Sequence, residues 1–172
     1  MLKTVRDALH ECANEADAKN LQRFFKTGPG EYGEGDIFIG VRVPAIRRIA
    51  GKFHELPFED TQALLHSAIH EERLLALIIL IGKYRKGTIA EQNYIYELYL
   101  ASTRYINNWD LVDLSAEHIV GAYLADKSRE PLYELARSSS LWERRIAILA
   151  TFHYIKRNEL AETFLIAEIL LA

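Results

Sequence analysis

The sequence has little cysteine and no long apolar run, and each shortage excludes a class of protein. With one cysteine in 172 residues, Cys12, the chain can form neither a disulfide framework nor a multi-cysteine zinc site. The longest apolar run, residues 74–81, is far shorter than the ~18 residues that a membrane-spanning helix needs. We therefore expect a soluble, cytosolic protein that has no membrane partner.

Positive charge is also not in excess. Lys and Arg number 21 and Asp and Glu number 24, so the formal net charge is −3. This balance excludes a histone-like polycation and argues against nucleic-acid binding unless the basic side chains cluster on one face. Hydrophobic residues make up 49% of the chain, which is long enough to bury a self-sufficient core. We predict a single domain that covers residues 1–172.

Apolar residues recur at intervals of three and four along most of the chain, which is the period of an amphipathic helix. Three of the four prolines, Pro44, Pro57 and Pro131, stand just before such stretches, as expected for the first turn of a helix. Strict alternation is confined to residues 37–43, which predict one short strand or an extended link. The pattern predicts helices near residues 2–12, 17–26, 44–54, 58–68, 71–85, 88–101, 109–124, 130–138, 141–157 and 159–171.

The chain contains a weak internal repeat. Residues 71–77 align with residues 142–148, at an offset of 71, and residues 109–114 lie between them at offsets of 38 and 33. In a helical chain, periods of this size are typical of stacked helix pairs of the HEAT or armadillo kind. We predict an all-α fold, a right-handed superhelical stack of such pairs (an α-α superhelix). An ordinary helical bundle is the alternative.

A glycine-rich loop, residues 27–36, contains the spacing G-x-G-x-x-G at Gly28, Gly30 and Gly33. A dinucleotide site needs a strand before this motif. Here a helix precedes it, and three acidic side chains in the loop would repel a pyrophosphate. Two interpretations remain: a surface loop whose glycines permit positive φ, or a loop that approaches another polymer closely with Tyr32 at its tip.

No motif calls for a metal or an organic cofactor. His66 and His70 have the i, i+4 spacing of two metal ligands on one helical face, but no third ligand is signalled. His70 precedes two acidic residues, whose charges suit a helix N-terminus. We interpret it as a helix-start residue, predict no metal site and expect no cofactor.

Basic residues cluster at Arg42, Arg47, Arg48 and Lys52, which follow one another with no intervening acid at one predicted helix. Charged positions on an exposed helix face are ordinary, so a solvated face is one interpretation. In a stack of helix pairs, basic residues from successive repeats can instead line one concave face and follow a phosphate backbone.

Two tryptophans stand near ionisable residues at helical spacing. Trp109 and Asp113 are i, i+4, and Trp142 and Arg145 are i, i+3, so each pair shares a helical face. By the repeat alignment, Asp113 stands where the other repeats have apolar residues. The four side chains could converge on one site. The alternative is that both tryptophans are core residues and Asp113 is a capping or salt-bridge residue.

Four segments together resemble a known family in order and spacing. They are FFKTGPGEYGEGDIFIGVRVP at residues 24–44, HEER at residues 70–73, INNWDLVD at residues 106–113 and LWERR at residues 141–145. The sequence resembles the bacterial DNA alkylation repair family, the AlkD-type DNA glycosylases built from HEAT-like repeats. The similarity runs from near residue 1 to the end of the chain.

The resemblance implies hydrolysis of the N-glycosidic bond of cationic N3- and N7-alkylated purines in duplex DNA, without a base-flipping pocket. By position, Asp113 matches the catalytic aspartate, Trp109 the indole before it, and Arg145 an arginine that contacts the DNA backbone near the lesion. Trp142 falls beside that arginine. An alkylated purine is already cationic, so one carboxylate that stabilises the oxocarbenium-like sugar and directs a water suffices.

The implied partner is double-stranded DNA that contains alkylated purines, bound by Arg145 and Trp142, with Arg47, Arg48, Lys52 and Tyr32 as further DNA-binding candidates. We expect a monomer in the cytoplasm, associated with the bacterial nucleoid. Family members continue through further C-terminal helices that supply another tryptophan, and we expect this chain to lack them. A non-catalytic HEAT-like scaffold that binds DNA or protein is the alternative function.

Overall fold

The computed structural model describes all residues, 1–172, and its regular elements are helices. The one β-type contact is an isolated parallel bridge between Ile37 and Ile69, so residues 37–43 form an extended link rather than a strand. In chain order the α-helices are α1 (Leu2–His10), α2 (Glu15–Phe24), α3 (Val43–Lys52), α4 (Phe58–Leu65), α5 (His70–Lys86), α6 (Ile89–Ala101), α7 (Trp109–Ala116), α8 (Glu130–Ala136), α9 (Leu141–Ala150), α10 (Phe152–Ile155) and α11 (Ala161–Leu171). The predicted all-α class is confirmed.

The chain divides into two compact units, residues 1–83 and residues 84–172, and the boundary falls within the last turn of α5. The right-handed stacking and the single-domain organisation stay predictions. No helix is both long enough and apolar enough to cross a membrane.

In the first unit, α1 packs against α3 and α4. The fully buried Val5 and Leu9 lie one turn apart on α1, and Ile46 and Ile49 form the buried face of α3. Pro44 sits in the first turn of α3, where its missing N–H leaves no intrahelical bond unmade. This packing leaves the opposite face of α3 in solvent.

In the second unit, α8 and α9 form a helical hairpin, α7 packs on α9, and α11 covers α8 and α9. Residues 117–121 continue α7 as a π-helical turn that ends at Gly121. A Cβ on Gly121 would lie 2.2 Å from the carbonyl oxygen of Ala150, so only glycine allows this close approach to the end of α9. The predicted helix at residues 141–157 is interrupted at Thr151, whose hydroxyl donates to the carbonyl of Ile148 at 2.7 Å.

Candidate functional site

In the second unit the structure brings Asp113 and Arg145 into direct contact. Arg145 Nε donates to Asp113 Oδ1 at 2.7 Å, and Arg145 Nη2 donates to Oδ2 at 2.8 Å. This is the paired, fork-like geometry in which a guanidinium fixes both oxygens of a carboxylate. The hydrogen bonds from Arg145 to the Asp113 carboxylate raise the pKa of the guanidinium above its usual value.

The pair is accessible to solvent, since the side chains of Arg145 and Asp113 are 38% and 34% exposed. Its geometry leaves hydrogen-bonding capacity unused. A guanidinium has five N–H donors and a carboxylate about four acceptor positions, of which the fork uses two each. Arg145 Nη1 has no hydrogen-bond partner in the protein, so the pair can still bind an anion and a water.

Asp113 lies on α7 and Arg145 on α9, and the pair lies at the edge of the contact between these two helices. On α7, Leu111, Val112 and Ser115 are buried, and Asp113 lies just outside this buried face. Ser115 is fixed from both sides: its Oγ donates to the carbonyl of Leu111 at 2.6 Å and shares a 2.8 Å hydrogen bond with the hydroxyl of the buried Tyr99. Asp113 therefore lies at the surface of a helix that is held in place, two residues further on, by the buried hydrogen bonds of Ser115.

The repeat alignment placed Asp113 opposite Leu75 and Ile146, both of which are fully buried. The structure corrects this expected equivalence. The buried face of α7 begins at Leu111 and Val112, two positions earlier than the buried face of α9 in the same alignment. The carboxylate is therefore not forced into an apolar position.

Both tryptophans are half-buried. Trp109 is the first residue of α7, where Asn108 Oδ1 accepts a hydrogen bond from the Trp109 backbone N–H at 2.8 Å. Trp142 lies in the first turn of α9. Each indole therefore lies on the helical face of its ionic neighbour, one turn before it. The contact between Asp113 and Arg145 fits the hypothesis that the four side chains converge, and it equally fits the alternative that Asp113 is a salt-bridge residue. Convergence of the two indoles on the pair stays a prediction.

Arg144 and Arg145 are adjacent in sequence but serve different partners. Arg144 Nη1 donates to the carbonyls of Ser138 and Ser139 at 2.8 and 2.9 Å, in the link before α9. Arg144 thus stabilises its own hairpin, and Arg145 is the cation that faces α7.

The π-helical turn that follows α7 carries a second polar cluster. Glu117 pairs with Lys156, and His118 and His153 both experience the charges of these two groups. Burial is the main cause that lowers the pKa of each histidine below its usual value of 6.5. Sequence reasoning missed this cluster because a π-helical turn has no periodic signature.

The other predicted DNA-binding residues lie in the first unit. Arg47, Arg48 and Lys52 are all exposed on α3, which contains no acidic residue, and none of them forms an ion pair. Tyr32 is 39% exposed in the glycine-rich loop. Arg47, Arg48 and Lys52 form a basic surface on α3, and the role of all four residues in binding stays a prediction.

In the glycine-rich loop, two glutamate carboxylates accept hydrogen bonds from the loop's own backbone. Glu31 Oε2 accepts from the Gly28 N–H at 2.9 Å, and Glu34 Oε2 accepts from the Gly30 N–H at 3.0 Å. Gly30 has a φ of +77°, which an L side chain rarely adopts. The backbone N–H groups of Gly28 and Gly30 therefore bind carboxylates of the loop itself, whereas in a phosphate-binding loop such groups donate to the phosphate.

The segment HEER at the start of α5 anchors this loop. Asp36 accepts from Arg73 Nη2 at 2.6 Å and lies 3.1 Å from His70 Nδ1, and all three side chains are buried. The carboxylate of Glu71 accepts backbone N–H groups from residues 39–41, the shortest being 2.8 Å from Gly40. The predicted helix-start role of His70 is confirmed, and its ring also stacks on Phe38 at 4.4 Å.

Two structural residues were missed by sequence reasoning. Gly40 has a φ of +82°, and a Cβ there would lie 2.0 Å from the carbonyl oxygen of Asn14. Glu143 bridges the segments that precede α7 and α9. The residue types alone carried no signal for either contact, because both join positions that are distant in sequence.

The fold and the site together define an all-helical protein with an accessible carboxylate–guanidinium pair on the two helices that carry Trp109 and Trp142. A comparison with protein families matches residues 5–172 to the family described as DNA alkylation repair enzyme. The chain belongs to this family, and its role is in the repair of alkylated DNA. A search of curated proteins returned no significant match.

Proposed function

We propose that the protein is a monofunctional DNA glycosylase that hydrolyses the N-glycosidic bond of cationic N3- and N7-alkylated purines in duplex DNA. The observation that carries this proposal is the Asp113–Arg145 pair, an accessible carboxylate whose two oxygens are oriented by one guanidinium. The family membership supports a repair activity, and the pair supplies chemistry suited to it.

In this mechanism the bond between sugar and base breaks first, because the alkylated purine leaves as a neutral base and needs no proton. Positive charge develops on the sugar. The Asp113 carboxylate stabilises that charge and accepts a hydrogen bond from the attacking water. The water adds its oxygen to C1′ and loses a proton, so the products are a free base and an abasic site.

Arg145 would serve the same reaction from the DNA backbone. Its unpartnered Nη1 offers two N–H donors to a phosphate while Nε and Nη2 still hold Asp113. Trp109 and Trp142 would supply aromatic surface beside the carboxylate, where the face of an indole attracts a cationic base. Arg47, Arg48, Lys52 and Tyr32 would contact the duplex elsewhere.

The protein would capture the damaged duplex without flipping the base into a pocket, and it would act as a monomer. It needs no metal or organic cofactor in this scheme, because the leaving group already carries the positive charge. We place it in the cytoplasm, at the nucleoid.

The test is release of free base from a duplex that contains N7-methylguanine, measured by chromatography and by alkaline cleavage at the resulting abasic site. The same duplex without the methyl group is the matched control. We expect free 7-methylguanine and an alkali-sensitive site from the modified duplex only. Tight binding of the modified duplex with no base release would contradict the glycosylase proposal and support the scaffold alternative.

A further inference from the structure

Glu143 has the sequence position of a capping-box glutamate, but its carboxylate does not accept a hydrogen bond from the backbone N–H of the N-cap residue. Ser140 and Glu143 have the S-x-x-E spacing of a capping box, in which the glutamate accepts from the N-cap backbone N–H. In α6, Thr88 and Glu91 form the complete box. At α9 only half of it exists: Ser140 Oγ accepts from the Glu143 N–H at 3.4 Å, and the Ser140 N–H donates to Ser138 Oγ at 3.0 Å.

The carboxylate of Glu143 is thereby available for other partners. Its Oε1 accepts from the hydroxyl of Thr103 at 2.7 Å, and its Oε2 accepts from the hydroxyl of Ser138. Both oxygens are therefore hydrogen-bonded to neutral hydroxyl groups within the half-buried contact.

These two partners belong to the segments that lead into the site helices. Thr103 opens a short 3-10 turn, residues 103–105, that continues through the buried Ile106 and Asn108 to the start of α7. Ser138 lies in the link that leads into α9. The carboxylate of Glu143 therefore connects the segment that leads into α7 with the segment that leads into α9. Glu143 itself lies two residues before Arg145.

We propose that Glu143 is a positioning residue that fixes α7 against α9 and so holds Asp113 and Arg145 in their paired geometry. This inference rests on the proposed function for its effect on catalysis. Fork-like pairing depends on helix placement, and a displacement of about 1 Å at a reacting group can cost roughly a hundredfold in rate. Glu143 does not touch the reacting atoms in this scheme, because its carboxylate is held by Thr103 and Ser138.

Two variants weaken the tie from opposite ends. Glu143→Gln removes the negative charge and leaves one acceptor oxygen where two hydroxyl groups now donate, and Thr103→Val removes one of those hydroxyl groups at nearly constant volume. Thr103→Ser keeps the hydroxyl and is the rescue variant. Glu91→Gln is the matched control, since it alters a first-turn capping glutamate of the same unit outside α7 and α9.

In single-turnover base release at saturating enzyme, we expect Glu143→Gln and Thr103→Val to lose about tenfold or more in rate, with duplex affinity changed less than twofold. Thr103→Ser and Glu91→Gln should stay within about twofold of the parent. Equal excision rates per folded molecule in parent, Glu143→Gln and Thr103→Val would overturn the proposal. Equal losses in Glu91→Gln and Glu143→Gln would also overturn it, because capping alone would then explain the effect.

A readout that needs no activity separates this proposal from the proposed function. The Nε–H proton of Arg145 donates to Asp113, and its NMR resonance is assigned by its loss in Arg145→Lys. We expect this resonance to shift in Glu143→Gln and in Thr103→Val, and to be retained in Thr103→Ser and Glu91→Gln. If the parent released no base, the proposed function would fail while this measurement still tested the positioning role. An unmoved resonance in Glu143→Gln and Thr103→Val would overturn the positioning role.

Discussion

Replacing Arg145 by lysine keeps the positive charge but removes the planar fork that holds both oxygens of Asp113. An ammonium group is a compact point charge, so it cannot match the 2.7 and 2.8 Å contacts of Nε and Nη2 at the same time. It can still contact a phosphate or Asp113. The substitution therefore separates the charge of Arg145 from its geometry.

The expected magnitudes follow from the exposure of the pair. Because both side chains are more than a third exposed, solvent screens their attraction, and such pairs stabilise a fold by only about 0.2–1 kcal/mol. Arg145→Lys should therefore lower the melting temperature by no more than about 4 °C. We expect base excision to fall about tenfold or more, roughly 1.4 kcal/mol of transition-state stabilisation, because the carboxylate loses its fixed orientation.

Duplex binding provides the second measurement. A phosphate contact contributes about 0.9 to the magnitude of the salt slope. Arg145→Lys should keep that slope and Arg145→Ala should reduce it by about this amount. Arg42→Lys is the matched control, since Arg42, the residue before α3, holds Asp17 of α2 in the same fork, with contacts of 2.9 and 2.8 Å.

Two outcomes would refute this reasoning. Parent-like excision by Arg145→Lys would show that the fork does not orient Asp113 for catalysis. Unchanged affinity and salt slope in Arg145→Ala would remove Arg145 from the DNA surface.

Three further predictions concern binding, packing and pH. Arg48→Ala should lower duplex affinity alike on all sequences and reduce the salt slope by about 0.9, and an unchanged slope would exclude Arg48 from the interface. Gly40→Ala should lower the free energy of unfolding by about 2 kcal/mol or more in denaturant titration, because it adds a steric clash to the positive-φ strain. Gly35→Ala, at a φ of +84° with open space around it, should show the strain alone, and equal losses in the two variants would contradict the packing argument. Burial lowers the pKa of His118 and His153 in the folded protein, so the unfolded chain binds protons more readily. The contribution of the two neutral histidines to the free energy of unfolding is therefore present above pH 6.5 and is lost as the pH falls through the folded-state pKa values. We expect the melting temperature to fall between about pH 7 and pH 5 by less in the His118→Asn/His153→Asn double variant than in the parent, and an equal fall would contradict this assignment.

Local pattern was enough to predict most of the helices. Pro44 and Pro131 stand within the first turns of α3 and α8, and the apolar spacing located the starts of α5, α7 and α9 to within a residue. These signals succeed because each depends on neighbours within one or two helical turns.

The same local signals could not reveal contacts between distant parts of the chain. The acidic first turn of α5 looks like a response to the helix dipole, but Glu71 is bonded to backbone N–H groups of residues 39–41. The S-x-x-E spacing of α9 suggests a local cap, but Glu143 reaches Thr103. In both cases tertiary packing supplies a partner that a helical pattern does not contain.

For the candidate site, helical spacing placed Trp109 with Asp113 and Trp142 with Arg145, but the direct ion pair required the packing of α7 on α9. The repeat alignment left open whether Asp113 turns outward, because a match of a few positions does not determine which face of a helix is buried. The surface position of the carboxylate could be recognised only from the buried face that begins at Leu111.

The most direct test of the glycosylase mechanism is single-turnover base release by Asp113→Asn beside the parent, with melting temperature and duplex affinity measured on the same preparations. The substitution keeps the shape of the side chain and removes its negative charge. We expect excision to fall by roughly a hundredfold or more, about 2.7 kcal/mol of transition-state stabilisation, while duplex affinity holds or increases because a like charge leaves the DNA-facing surface. A destabilised Asp113→Asn protein with parent-like excision per folded molecule would contradict the catalytic role of Asp113.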